Sequence, residues 1–189
     1  MKCDLFQVYG LTETAGAITI LMPEDHDPEK GKLRSCGKAL NSVEIKVVDD
    51  EGNEVKTGDI GEVISKSPLN MKGYWNRPDA TEEAIKDGWF YSGDAGFFDD
   101  EGYLYIHDRV KDMIVSGGEN IYPAEVENAL MSHPEIADAA VIGVPDDKWG
   151  ESVKGFVVLQ PDSSLDETEI ISYSRTQICL LYTSDAADE

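Results

Sequence analysis

The chain has 189 residues, 16 basic and 38 acidic, for a formal net charge of −22. Its length allows one or two domains and a core that removes roughly 70% of the unfolded surface from water. A field this negative repels nucleic acid and anionic membranes, and argues against both as partners. No run approaches about 18 apolar residues and the start has no basic-then-apolar segment, so neither a membrane span nor a signal peptide is expected. Cys3, Cys36 and Cys179 are odd in number, widely spaced and without a CxxC pair. That usage points to a reducing, cytoplasmic setting and argues against a disulfide frame or zinc site.

In chain order, residues 5–10 (LFQVYG) form an apolar run closed by glycine, the pattern of a buried strand entering a turn. Residues 23–38 are polar and turn-rich, hence loop. VEIKVV at 43–48 and GEVISKS at 61–67 predict two strands joined by a turn. In PDATEEAIKDG, Asp79 can cap a helix with Glu82 three residues on, and Gly88 closes it. WFYSGDAGFFDDEGYLYI at 89–106 reads as a hairpin turning on DDEG, with Asp94 in an exposed turn after Gly93. Beyond Arg109 come a strand at 113–115, a Gly-Gly turn, a helix opened by Pro123 with Val126, Ala129 and Leu130 on one face, and a stop at Pro134. Strands at 139–144 and 155–160 follow, then a helix start at Ser164 boxed by Glu167. This ββαββα-like order predicts a small α+β module, divided from what precedes it near residues 108–111.

The stretch DRVKDMIVSGGENIYPAEVE, residues 108–127, combines five acidic and two basic residues, a Gly-Gly pair and a proline with Met113, Ile114, Val115, Ile121 and Val126, which are core residues by type. It is built as if to be both packed and mobile. GxGxxG, GxxxxGK[ST] and GxSxG motifs are absent from the sequence, and His26, His107 and His133 are too scattered for a ligand set. His26, in EDHDPE, fits a solvated acidic loop.

Three constellations carry chemistry, each with a plainer alternative. In VYGLTETAG, Tyr9 offers a flat face for a heterocycle, Gly10 close backbone approach, Thr12 a hydroxyl for phosphate and Glu13 a hard oxygen for Mg²⁺; a strand-turn junction with a threonine cap also fits. In WFYSGDAG, Asp94 can accept from both hydroxyls of a ribose, or can merely stabilise its own turn. Arg109 is a planar five-donor cation that a surface ion pair would explain equally well.

Together and in this order, YGLTE, GEVISKSPLNMKGYW, WFYSGD, YIHDRVKDMIVSGGENIYPAEVE and AAVIGVPDDKWGE make the chain resemble the adenylate-forming, AMP-binding superfamily of acyl-CoA synthetases, peptide-synthetase adenylation domains and luciferases. The resemblance runs from about residue 3 to 178. It implies a mixed α/β and α+β architecture: residues 1–109 as the C-terminal, β-rich part of the large AMP-binding domain, and 110–178 as a truncated α+β C-terminal domain. It implies ATP, Mg²⁺ and CoA as ligands and a carboxylic acid as substrate, activated as acyl-AMP and passed to a thiol. By that resemblance Tyr9, beside Gly10, borders the adenine, Thr12 contacts the AMP phosphate, Glu13 holds Mg²⁺, Asp94 binds the ribose hydroxyls with Arg109 reinforcing it, Lys111 is the hinge, and Gly117 and Gly118 approach the pantetheine arm. Gly16 and Ala17 could border the acyl pocket. Ser92 stands where threonine is frequent and Asp108 where glycine is frequent.

A hinge that serves two conformations of similar energy explains a charged pivot followed by packed residues. The family's phosphate loop and its adenylation lysine do not match any part of this sequence; Lys30, Lys32, Lys38 and Lys154 lack that lysine's context. The chain alone is therefore expected to be inactive, as a fragment of a CoA ligase or, alternatively, of an enzyme loading a carrier-protein thiol; a noncatalytic binding module is the third reading. Residues 179–189, CLLYTSDAADE, resemble the in-frame translation of a transposase sequencing adapter and are expected to be a non-native tail.

Overall fold

A computed structural model of the chain describes residues 3–178. The adapter-like segment 179–189, Cys179 included, lies outside the described residues. The chain forms two compact units, Met1–Val110 and Lys111–Glu189. Each pairing between named strands is antiparallel.

The first unit is β-rich. Strands β1 (Gln7–Leu11) and β2 (Gly16–Leu21) form a hairpin over a 3-10 turn at Thr12–Thr14, and β3 (Lys38–Ala39) pairs with β2. The expectation of a buried first strand fails: Leu5, Phe6 and Val8 are 62%, 50% and 56% exposed. Leu5 and Phe6 precede β1, and within this edge strand Val8 falls on the outward face of the alternating pleat. Residues 23–37 form the expected polar loop, with proline-opened 3-10 turns at Pro23–Asp25 and Pro28–Lys30, while Lys38 already belongs to β3. His26 is half-buried there, its Nδ1 3.0 Å from the Met22 carbonyl, and so is not simply solvated.

β4 (Glu44–Val48) and β5 (Gly61–Lys66) pair in register from Glu44 opposite Lys66 to Val48 opposite Glu62. A short helix, α1 (Pro78–Ala84), leads into β6 (Ile85–Lys86), β7 (Trp89–Phe98) and β8 (Leu104–Arg109). β5 lies between β4 and β7, and β6 and β8 share β7's other edge. α1 is not closed as its sequence suggested. Proline occupies its first turn and Arg77 the cap position, without a capping side chain, while Asp79 sits inside the first turn. Gly88 does not end the helix; with Asp87 it makes the two-residue turn between β6 and β7, φ 52° and 79°. Asp-Gly with two positive φ values matches the right-handed twist of paired strands. Val47, Val63 and Leu104 form the unit's core cluster, with Tyr9, Ile45, Val55, Phe98 and Ile106 against it.

Leu104 also fastens the two sheets together. Its carbonyl accepts from Cys36 N–H at 2.7 Å and from the Ser35 hydroxyl at 2.9 Å, and its own N–H donates to Gly37 O at 2.9 Å. Gly37 must be glycine: φ is 88° and a Cβ would lie 2.0 Å from the Ile20 carbonyl.

The second unit is α+β: β9 (Ile114–Ser116), β10 (Glu119–Ile121), α2 (Pro123–Met131), β11 (Ile136–Asp146), β12 (Gly150–Leu159) and α3 (Glu167–Gln177), with sheet order β10-β9-β12-β11. β10 was not foreseen as a strand; the Gly117-Gly118 turn returns the chain directly as β9's partner. Ile114, Ile121 and Val126 enter the core with Leu130, Ile136 and Val141. Met113 is only half-buried and Val115 is 44% exposed, because β9 alternates faces. α3 starts two residues later than expected. Asp166, not Ser164, caps it and exchanges hydrogen bonds with Glu169 at 2.9 and 3.0 Å. Leu165 before that cap and Ile170 four residues after it both pack on the core, which fixes the later start.

Leu104→Ala should lower the stability of the first unit by about 2–5 kcal/mol, since it opens a cavity at a fully buried site. Amide exchange at Val47 and Val63 reads this loss directly.

Candidate nucleotide site

The candidate site of the first unit is built on an irregularity in β7. Opposite β5, the register runs from Glu62 paired with Ala95 to Ile64 paired with Tyr91, so Ser92, Gly93 and Asp94 together face Val63 alone. This is a bulge inside a strand, not the exposed turn expected for Asp94, which is 5% exposed. The Ser92 hydroxyl holds it by donating to Val63 O at 2.6 Å and accepting from Asp94 N–H at 3.0 Å. Gly93 N–H donates to Glu62 Oε1 at 2.9 Å. Gly93 has φ 71°, and a Cβ there would come 3.3 Å from Arg109 Nη2.

Strand pairing sets Asp94 directly opposite Arg109. Arg109 Nη1 lies 2.8 Å from Asp94 Oδ1, and the Tyr9 hydroxyl donates to Asp94 Oδ2 at 2.6 Å. Tyr9, 85 positions from Asp94 in sequence, and Arg109 thus meet on one carboxylate. Each carboxylate oxygen has two acceptor directions, so capacity remains after both bonds form. The Tyr9 phenol is pushed far above its usual range, by burial first and by Asp94 second. Tyr9 therefore acts here as a neutral donor, its ring packed on the core.

Gly10, Thr12 and Glu13 follow at the end of β1. A Cβ on Gly10 would lie 2.0 Å from Gly16 O, so this glycine is required by its own hairpin. Thr12 is exposed. The buried Thr14, which sequence reasoning passed over, anchors the turn: its Oγ1 accepts from Leu11 N–H at 2.9 Å and lies 2.7 Å from Gly16 O. Glu13 is gripped twice from a distant segment, its carbonyl accepting from Met71 N–H at 2.7 Å and its Oε1 from the Tyr74 hydroxyl at 2.8 Å. Tyr74 and Glu62 carried no signal by composition. Both lie within the GEVISKSPLNMKGYW stretch.

No group of three or more His, Cys, Asp or Glu residues that could hold a metal is gathered among the described residues. Glu13 supplies one carboxylate, which suits Mg²⁺ held mainly by nucleotide phosphates and water rather than by a protein cage.

In the second unit, Lys111 is exposed in a 3-10 turn at Val110–Asp112. Gly117 and Gly118 form the β9–β10 turn with φ 60° and 90°. Gly117 N–H donates to Trp149 O at 2.9 Å, and a Cβ on Gly117 would meet the Trp149 ring at 2.8 Å. Trp149 was missed as a neighbour of the glycine pair; it lies in the DDKWGE stretch. No helix of the described residues is long and apolar enough to cross a membrane.

Burial raises the Glu62 carboxyl above the usual glutamate range, the bond from Gly93 opposing it. The folded chain then holds this proton at a pH where the unfolded chain has released it. Stability is therefore favoured below the ordinary glutamate value and falls as pH rises through the folded-state value. Glu62→Gln, which keeps an acceptor for Gly93, should flatten that slope in denaturant titrations run from about pH 4, near the ordinary glutamate value, up to about pH 7. Glu62→Ala should cost about 1 kcal/mol or more at every pH.

A family profile described as AMP-binding enzyme matches residues 1–75, and one described as AMP-binding enzyme C-terminal domain matches residues 125–186. The fatty acid–acyl-carrier-protein ligase ScoC of Streptomyces coeruleorubidus is 46% identical over 161 residues, 85% of this chain and 31% of that protein. The long-chain-fatty-acid–CoA ligase FadD13 of Mycobacterium tuberculosis is 45% identical over 175 residues, 93% of this chain and 34% of that protein. Among solved structures, o-succinylbenzoate CoA synthetase (MenE) from Bacillus subtilis, in complex with the acyl-adenylate intermediate OSB-AMP, superposes with a TM-score of 0.85 at 43% identity, covering 96% of this chain and 36% of that one. The chain spans about a third of the length of these relatives, and across that span its sequence and its fold place it in the AMP-binding enzyme family.

Proposed function

We propose that the chain carries the ribose and metal side of the nucleotide site of an ATP-dependent acid–thiol ligase, which joins a carboxylic acid to AMP and then transfers the acyl group to CoA. The observation that supports this most directly is the meeting of Tyr9, Asp94 and Arg109. A carboxylate held by a phenol and a guanidinium cannot swing away, so its remaining acceptor directions are fixed in space. Two neighbouring ribose hydroxyls are the natural donors for such a fixed pair.

Attack of a carboxylate on the α-phosphate builds negative charge, which Mg²⁺, when bound, neutralises through Glu13. Thr12, exposed at the turn, donates to the phosphate, while Tyr9 and Gly10 border the base. Lys111 serves as the hinge, and the Gly117–Gly118 turn leaves room for a pantetheine arm. On this reading the chain by itself does not adenylate, since the family's phosphate loop and adenylation lysine match nothing within the 189 residues. Its working setting is the cytoplasm, and nucleic acid is not a partner.

A second acceptor is kept because ScoC, by its name, acts on an acyl carrier protein: the thiol could belong to a carrier protein. In an enzyme of the relatives' length bearing these residues, pyrophosphate release should appear with ATP and one of a panel of fatty, aryl and short-chain acids, and a thioester should form when CoA is added. Acylation of a carrier protein without any CoA thioester would select the alternative; no pyrophosphate with any acid would overturn both. Asp94→Ala in that enzyme should raise the KM for ATP about tenfold or more, the loss of one charged hydrogen-bonding partner being worth roughly 1.5–3 kcal/mol. Unaltered kinetics would reduce Asp94 to a residue that shapes its bulge.

A further inference from the structure

Glu13 is held by more than its own turn. The Tyr74 hydroxyl donates to Glu13 Oε1 at 2.8 Å across 61 positions of sequence, and Met71 N–H donates to the Glu13 carbonyl at 2.7 Å. Tyr74 is itself locked. Its N–H donates to Thr81 Oγ1 at 2.9 Å, and that hydroxyl donates onward to the Arg77 carbonyl at 2.8 Å, within the first turn of α1. The seat exists only because position 73 has no side chain. Gly73 has φ 149°, and a Cβ there would stand 2.7 Å from Thr81 Cγ2. Three constraints in an exposed loop therefore converge on the direction of one phenol.

We infer that Tyr74 is a positioning residue for the Glu13 carboxylate: seated by Thr81 and Gly73, it occupies Oε1 with a hydrogen bond and so leaves Oε2 free for a divalent cation. The inference rests on the role proposed above for Glu13. A tyrosine that only filled space would not need its main chain and its hydroxyl fixed at once. Hydrogen bonds to a ligating carboxylate set its orientation, and their removal characteristically weakens metal binding by about 10–100-fold.

The test uses the enzyme of the relatives' length, with Mn²⁺ as the probe in the presence of ATP and binding read by water-proton relaxation, independent of turnover. Tyr74→Phe keeps the ring and should weaken Mn²⁺ binding about tenfold, with the KM for the acid unchanged. Gly73→Ala should weaken it likewise, while Thr81→Ser, which retains the hydroxyl, should stay near the parent. Thermal melting of each variant separates misplacement of the carboxylate from loss of fold. If Glu13→Gln weakens Mn²⁺ and Tyr74→Phe does not, the positioning role is overturned and the metal role stands. If Glu13→Gln has no effect, the metal role itself falls.

Discussion

The first unit is organised around a carboxylate that water barely reaches. Asp94 is 5% exposed, and taking a charge out of water is unfavourable unless it is paired and hydrogen-bonded. Arg109 and Tyr9 meet that requirement, one across a strand pair and one from the other sheet. Removal of either would leave a buried group under-satisfied. That makes the carboxylate a constraint on the fold as well as a candidate ligand: β1 must approach β7 at the height of the bulge, and β8 must run in the register that sets Arg109 opposite Asp94. The core of Val47, Val63 and Leu104 lies beneath, so the polar cluster has a rigid floor.

Much of this was legible in the residues. Strand periodicity located β4, β5, β7 and β8, and the DDEG turn between Phe98 and Leu104 falls where composition put it. What was not legible was what depends on partners. Glycine commonly closes helices, which makes Gly88 read as a helix end, whereas Asp87 ahead of it forms a hairpin turn and lets the strand propensity of Trp89, Phe90 and Tyr91 take over. Ser164 and Asp166 both satisfied the capping pattern; only the packing of Leu165 and Ile170 decided between them.

The candidate site divides the same way. The residue types at Tyr9, Asp94 and Arg109 suggested nucleotide chemistry, but their meeting on one carboxylate is a product of strand register. Tyr74, Glu62 and Thr14 gave no signal because a lone tyrosine, glutamate or threonine has no periodicity to betray a buried or bridging role. Ser92, noted as a departure where threonine is frequent, turns out to contribute a hydroxyl that both accepts and donates within the bulge. Threonine offers the same hydroxyl, which accounts for the exchange.

Gly10 and Gly16 touch where two strands would ordinarily keep side chains between them. The hairpin is pinched there, main chain against main chain, with Ala15 in the left-handed region at φ 54° to turn the corner. A turn pinned by its own backbone has little slack, so the elevation of Thr12 and Glu13 above the sheet is set before any side chain chooses a rotamer. Bulk added at the pinch would act as a wedge, tilting the whole acidic tip instead of disturbing one contact.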